Sequence, residues 1–191
     1  MDSKKKMIIA VSSFAMVVLA AIVAVVAVLA AQSVTIKSTI NINYSVEDVF
    51  GSAKVSYKLE GDTQFTNWGS VLTFDENTET GAESSLTDPG FNLTREKSYV
   101  IIKFELKKKD DTVENFSATL QYASTKAKNM TVTSGTAEDA ITTEATANMF
   151  NAVTISSSEY TAFYVKIAIS SVDADAEFAG TFNWALRNIA A

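Results

Sequence analysis

The chain has 191 residues, a net charge of -6, 47% hydrophobic residues, and neither cysteine nor histidine. Without cysteine, an exported domain must draw its stability from its core or from neighbours. Without histidine, His-based triads, His-Glu-x-x-His zinc sites and histidine general bases are all excluded.

Lys4-Lys5-Lys6 precedes an unbroken apolar run, Met7 to Ala31, whose only polar side chains are Ser12 and Ser13. About 20 apolar residues span a bilayer as a helix, and leading lysines place the N-terminus in the cytoplasm and the rest outside. Residues 1–31 are therefore expected to be a signal peptide or an N-terminal transmembrane anchor, in the form of one hydrophobic helix. Residues 32–191 are expected to form a single extracellular domain. Val28-Leu29-Ala30 and Leu29-Ala30-Ala31 both fit a signal-peptidase cut, yet the run exceeds the about 7 to 15 residues of a usual signal core. Cleavage and retention both stay open, and a retained segment would engage the membrane through residues 7–31. The run has no polar face, which argues against a buried helix of a soluble core. A type IV pilin-like spine would want a small residue after the basic cluster, where Met7 stands.

Behind the apolar run, Val34, Ile36, Ile40, Ile42, Tyr44 and Val46 share one parity, with Ser38 the only break. Thr35, Lys37, Thr39, Asn41, Asn43 and Ser45 take the other, so a long half-buried strand is expected. Ala53, Val55, Tyr57 and Leu59 repeat the pattern after Gly51. Val71, Leu72 and Phe74 suggest a short strand, and the acidic, Ser/Thr/Gly-rich stretch from Asp75 to Gly90 reads as a surface loop. Tyr99 to Leu106 is apolar on both faces in its first half, which suits a central strand. Lys107 to Asp111 reads as a turn. Phe116 to Tyr122, then Met130 with Val132, add two strands, and Gly135 to Asn148 reads as helical or irregular. Val153 and Ile155 lead into a strand at Tyr160 to Ser170, and Phe178, Phe182, Trp184 and Leu186 form a last one, with Gly180 on the same face. Roughly eight or nine strands with no βαβ alternation define the expected class: all-β, an antiparallel β-sandwich of jelly-roll or immunoglobulin-like type behind the N-terminal helix.

Few residues invite chemistry. Asp173, Asp175 and Glu177 alternate between two strands and form a weak calcium candidate, since hard oxygen donors suit that ion; a solvated strand-to-strand turn is the favoured reading. Asp110 and Asp111 after three lysines read as a charged hairpin tip that blocks edge pairing. Trp184 shares parity with the last strand's apolar face and is assigned to the core. Trp68, in a weakly patterned region, is the better candidate for an exposed aromatic that stacks on a ligand such as a sugar. No motif supports paired-carboxylate or Ser-Lys catalysis, and no catalytic residue or cofactor is assigned. Outside Lys107-Lys108-Lys109 the domain lacks clustered cations, which speaks against nucleic acid as a partner. Four Asn-x-Ser/Thr sequons, at Asn43, Asn92, Asn115 and Asn129, matter only where surface proteins are glycosylated.

The export segment with Val34 to Val46 directly behind it, Phe91-Asn92-Leu93-Thr94 leading into Tyr99 to Leu106, and Tyr160 to Ile169 followed by Phe178 to Leu186 give a layout that resembles the camelysin and TasA family of bacterial surface and biofilm-fibre proteins. The resemblance implies a jelly-roll-like sandwich without cysteines, whose fibres form by donor-strand exchange. The metal-dependent peptidase activity described for camelysins is not carried over to a chain without histidine. The expectation is thus a non-enzymatic, secreted or cell-surface structural subunit, self-associating into a homo-oligomer or filament, with Val34, Ile36, Ile40, Ile42, Tyr44 and Val46 as donor-strand residues. The alternative is a membrane-anchored extracellular adhesion module for glycans or host ligands.

Overall fold

The computed structural model describes residues 33–43, 51–74, 83–87, 90–124, 129–144, 149–171 and 176–189. The expected span at 7–31 and its boundary lie outside these residues, as do Tyr44, Val46, Asp173 and Asp175. Among the described residues no helix is long and apolar enough to cross a membrane, and every regular element is a strand.

Among the described residues thirteen strands form two sheets. The first sheet takes β1 (Val34–Asn43), β5 (Glu83–Thr87), β6 (Phe91–Leu93), β8 (Phe116–Ser124), β11 (Val153–Ile155) and β13 (Ala176–Asn188). Its order is β11-β8-β13-β1-β5, with β6 also on β1. The second takes β2 (Gly51–Leu59), β3 (Thr66–Asn67), β4 (Leu72–Phe74), β7 (Tyr99–Lys108), β9 (Met130–Gly135), β10 (Thr143–Glu144) and β12 (Thr161–Ile169). Its order is β10-β9-β12-β7-β2-β3, with β4 also on β2.

The sheets form because each long strand carries an apolar side that only another sheet can cover. In β7, Val100, Ile102, Phe104 and Leu106 are buried while Lys103, Glu105 and Lys107 are half-buried on the other side. Aromatic rings carry the contact between layers. Phe104 of β7 stands 5.6 Å from Phe182 and 5.2 Å from Trp184, both on β13, in edge-on geometry. Phe163 of β12 meets Trp184 at 5.4 Å. Edge-to-face pairs add about 0.5–1.5 kcal/mol beyond area burial.

Three expectations are corrected. The sheets are not purely antiparallel, since β1 runs parallel to β13 along its whole length. The stretch read as a loop from Asp75 to Gly90 contains β5, whose own pattern is weak and which pairs antiparallel to Thr39–Asn43 of β1. The turn placed at Lys107 starts later, because Lys108 is still in β7 and 5% exposed. Its ammonium donates to Val113 O at 3.1 Å and Asn115 Oδ1 at 3.2 Å, which compensates its burial. The stretch from Gly135 to Asn148, expected to be helical or irregular, is irregular among its described residues apart from the two-residue β10 and the end of β9 at Gly135. The short strands β3, β6 and β10 added nothing periodic to the sequence because two or three residues cannot show a period.

The central position of Tyr99 to Leu106 holds: β7 lies between β12 and β2. Ile101, on its outer face, is 6% exposed because Lys58 and Lys166 flank it in register on the two neighbouring strands. Truncating the ring that joins the layers should be costly. Phe104→Ala is expected to lower stability by about 3–5 kcal/mol, read from the denaturant midpoint, since a cavity opens beneath Trp184 and Phe182.

Candidate functional site: the slot filled by the first strand

Val34, Ile36, Ser38 and Ile40 of β1 are 3%, 0%, 2% and 0% exposed, so the parity read from the sequence faces the core. On one side β1 pairs with β13 from Val34↔Ala176 to Asn43↔Ala185. On the other side two short strands share its length: β6 takes Val34–Ile36 and β5 takes Thr39–Asn43, both antiparallel. Lys37 and Ser38 fall between them. Gly90, just before β6, holds φ at 91°, and a Cβ there would stand 3.3 Å from Thr35 Cγ2. Glycine adopts this left-handed turn without steric cost.

Parallel neighbours are usually joined by a crossover of a dozen or more residues. Here the neighbours are the first and last strands, so nearly the whole domain is the connection. Residues 44–50 join β1 to β2 in the other sheet. β1 is thus held in its sheet by hydrogen bonds and side chains on both flanks.

The register is marked on both faces. Inside, Ser38 stands opposite Gly180. The Tyr122 ring reaches from β8 across onto β13 and covers that glycine: a Cβ at Gly180 would lie 2.6 Å from Tyr122 Oη and 2.7 Å from Cε2. Tyr122 also lies 4.6 Å from the Phe182 ring. Outside, Asn41 Nδ2 donates to Asn183 Oδ1 at 3.0 Å, and Thr35 Oγ1 donates to Asn92 Oδ1 at 2.8 Å.

The other sequence candidates are placed differently. Trp68 is 3% exposed and is therefore not the exposed aromatic expected. Its ring packs edge-on to Phe91 at 5.1 Å and Tyr57 at 6.3 Å, because the chain after β3 turns it under the first sheet's β6. Trp184, assigned to the core, is 1% exposed. Of the calcium candidate, Glu177 lies in β13 opposite Thr35, and Asp173 and Asp175 lie outside the described residues. Among the described residues no group of three or more carboxylates gathers as a metal site. Asp110 closes the turn after β7, its Oδ1 accepting from the Thr112 hydroxyl at 2.5 Å and from the Thr112 amide at 2.8 Å. Those bonds hold its pKa below the usual carboxylate value.

Sequence reasoning missed the outer face of the second sheet. Lys54 stands 3.9 Å from the Tyr160 ring centre, Lys107 5.0 Å from the same ring, Lys58 5.0 Å from Phe65 and Lys166 4.0 Å from Tyr99. A groove of about 370 Å³ opens there, lined by Lys58, Lys166, Asp62, Glu138, Tyr99 and Ile101 among others. Lys58 pairs with Glu138, and Lys97 with Asp62 at 2.9 Å. Beside it Glu60 Oε2 accepts from both the amide and the hydroxyl of Ser98 at 2.8 Å. Those two bonds are the main reason its pKa lies below the model-compound value of 4.5.

Neither a scan against protein-family models nor a search of curated proteins returns a match. Among solved structures the chain is similar to a point mutant of the major pilin of Streptococcus pyogenes, with 9% identity and a TM-score of 0.22 over 81% of this chain and 48% of the pilin. The chain spans about half that pilin's length, and a likeness this distant carries no argument.

A lowered folded-state pKa contributes stability that is present above the unfolded value and lost as pH falls through the folded one. Glu60→Gln should therefore melt below the native protein at pH 7. The gap should close as pH drops below about 4.5, the value from which Glu60 is lowered, in a series of thermal melts.

Proposed function

We propose that this chain is a non-enzymatic, exported cell-surface subunit that builds a fibre by exchanging β1 between copies. The observation that supports the reading most is the place of β1. It fills a slot between the last strand and two short strands, and it follows the apolar export run with only two residues between Ala31 and Val34. A strand from a second copy would make the same hydrogen bonds and bury the same Val34, Ile36 and Ile40. Intramolecular and intermolecular pairing then differ mainly in connection entropy and effective concentration. Such contacts are head-to-tail and do not close, so they propagate a filament. A jelly-roll-like fold, as in the camelysin and TasA resemblance, is consistent with this use.

The absence of histidine and cysteine supports a structural role. So do the carboxylates with shifted pKa among the described residues, Glu60, Asp62 and Asp110, because hydrogen bonds hold all three in the charged form. A general acid needs the opposite displacement. Cleavage near Ala30 or Ala31 would release the subunit; retention of residues 7–31 would hold it on the membrane.

The test is competition. Excess synthetic peptide of sequence Val34–Asn43 should shorten or prevent fibres grown from the secreted protein, as seen in electron micrographs. Growth at an unchanged rate would overturn strand exchange. A second reading, an adhesion module for glycans, is favoured by the mixed-charge groove over Tyr99 and Ile101, whose donors and acceptors suit sugar hydroxyls. On a glycan array, that reading expects saturable binding that falls at least about tenfold, or about 1.4 kcal/mol, in Lys166→Ala. No binding to any glycan would remove it.

A further inference from the structure

The apolar pattern of β1 does not by itself specify where the strand sits. A slip of one residue would turn Thr35, Lys37, Thr39 and Asn41 into the core and is excluded by burial. A slip of two keeps Val34, Ile36 and Ile40 inward, so parity cannot distinguish it from the observed register. Something else must.

We infer that the pair Ser38–Gly180 beneath the Tyr122 ring is the register pin of the slot, and that the slot selects strands carrying a small residue at that inward position. In the observed register Ser38 faces Gly180. A slip of two in either direction would bring Ile36 or Ile40 opposite Gly180. The Tyr122 ring fills the space over Gly180 beside that position, with Oη 2.6 Å from where even a Gly180 Cβ would be. Tyr122 is 2% exposed and packed on Phe182, so it has little room to withdraw. The same slip would move Asn41 away from Asn183 and break their bond across the outer face. Ser38 is the break in an otherwise apolar row because a large side chain does not fit there.

The pin acts on β1 whichever copy supplies it. If copies exchange strands, as proposed above, the fitting partner is a second copy of this chain, or another strand with the order apolar, apolar, small, apolar, apolar at alternate positions.

The chain has no cysteine, so introduced pairs report register without interference. Thr39 and Thr181 are direct neighbours in register, within disulfide reach, whereas Thr39 and Asn183 are separated by about 8 Å. In the otherwise native chain, Thr39→Cys with Thr181→Cys should oxidise to a disulfide, and Thr39→Cys with Asn183→Cys should do so at least about tenfold less. Exchanging the two inward residues, Ile36→Ser with Ser38→Ile, moves the small residue by two places and should invert that preference. A disulfide that stays at 39–181 in the exchanged chain overturns the pin.

Should the exchanged chain not fold, melting of Ser38→Ile decides. The loss is expected to be about 5 °C or more, and less than half as large when Tyr122→Ala has opened the space. Equal losses in the two backgrounds overturn the pin. Strand exchange is read separately, by mixing chains that carry Thr39→Cys alone with chains that carry Thr181→Cys alone. Each of these chains has a single thiol, so a 39–181 disulfide in the mixture must join two copies. Its absence, with the disulfide still forming inside the chain that carries both cysteines, leaves the pin standing and removes the exchange reading.

Discussion

Parallel pairing between the first and last strands is the contact on which the rest of this molecule depends. β13 pairs with β8 on one side, and its other side is completed only by β1. β5 and β6 reach the sheet through β1 alone. Remove that strand and the first sheet loses a buried row, exposes a long edge of β13 and leaves two short strands without a partner. An unpaired edge of that length invites another strand.

The two outer faces differ in chemistry, and the difference follows from which residues alternate with the core. On the first sheet the outward positions include Thr35, Thr39, Asn41, Thr181 and Asn183; Asn41 bonds to Asn183 and Thr35 to Asn92 across strands at fixed register. On the second, lysines lie over Tyr160, Phe65 and Tyr99, where each contact is worth about 0.5–1 kcal/mol at an exposed site. Register is thus written into the first sheet, while the second offers a mixed-charge surface and the groove.

Much of the strand pattern was legible because alternation has one cause, an apolar side that must be covered. Val34 to Asn43, Ala53 to Leu59 and Thr161 to Ile169 were readable for that reason, and Ile101 betrayed a central strand by being apolar on the polar face. The slot was half legible. Ser38 and Gly180 were both visible as small residues in bulky rows. Nothing in either row said that they face each other, or that Tyr122, on a third strand, covers Gly180. Trp68 misled because its neighbours show no period; its burial is set by Phe91 and Tyr57, which are distant in the chain.

By itself, then, the sequence determined the all-β class, the inward and outward sides of the long strands, and the chemistry that missing histidine and cysteine remove. These follow from local alternation and composition, which need no knowledge of partners. Only the tertiary structure decided that β1 runs parallel to β13, that a stretch read as loop supplies β5, and that a serine, a glycine and a tyrosine from three strands meet at one point. Strand direction and neighbour choice are settled by pairing between residues more than a hundred positions apart, as Asn41 is with Asn183. Periodicity within one segment carries no record of them.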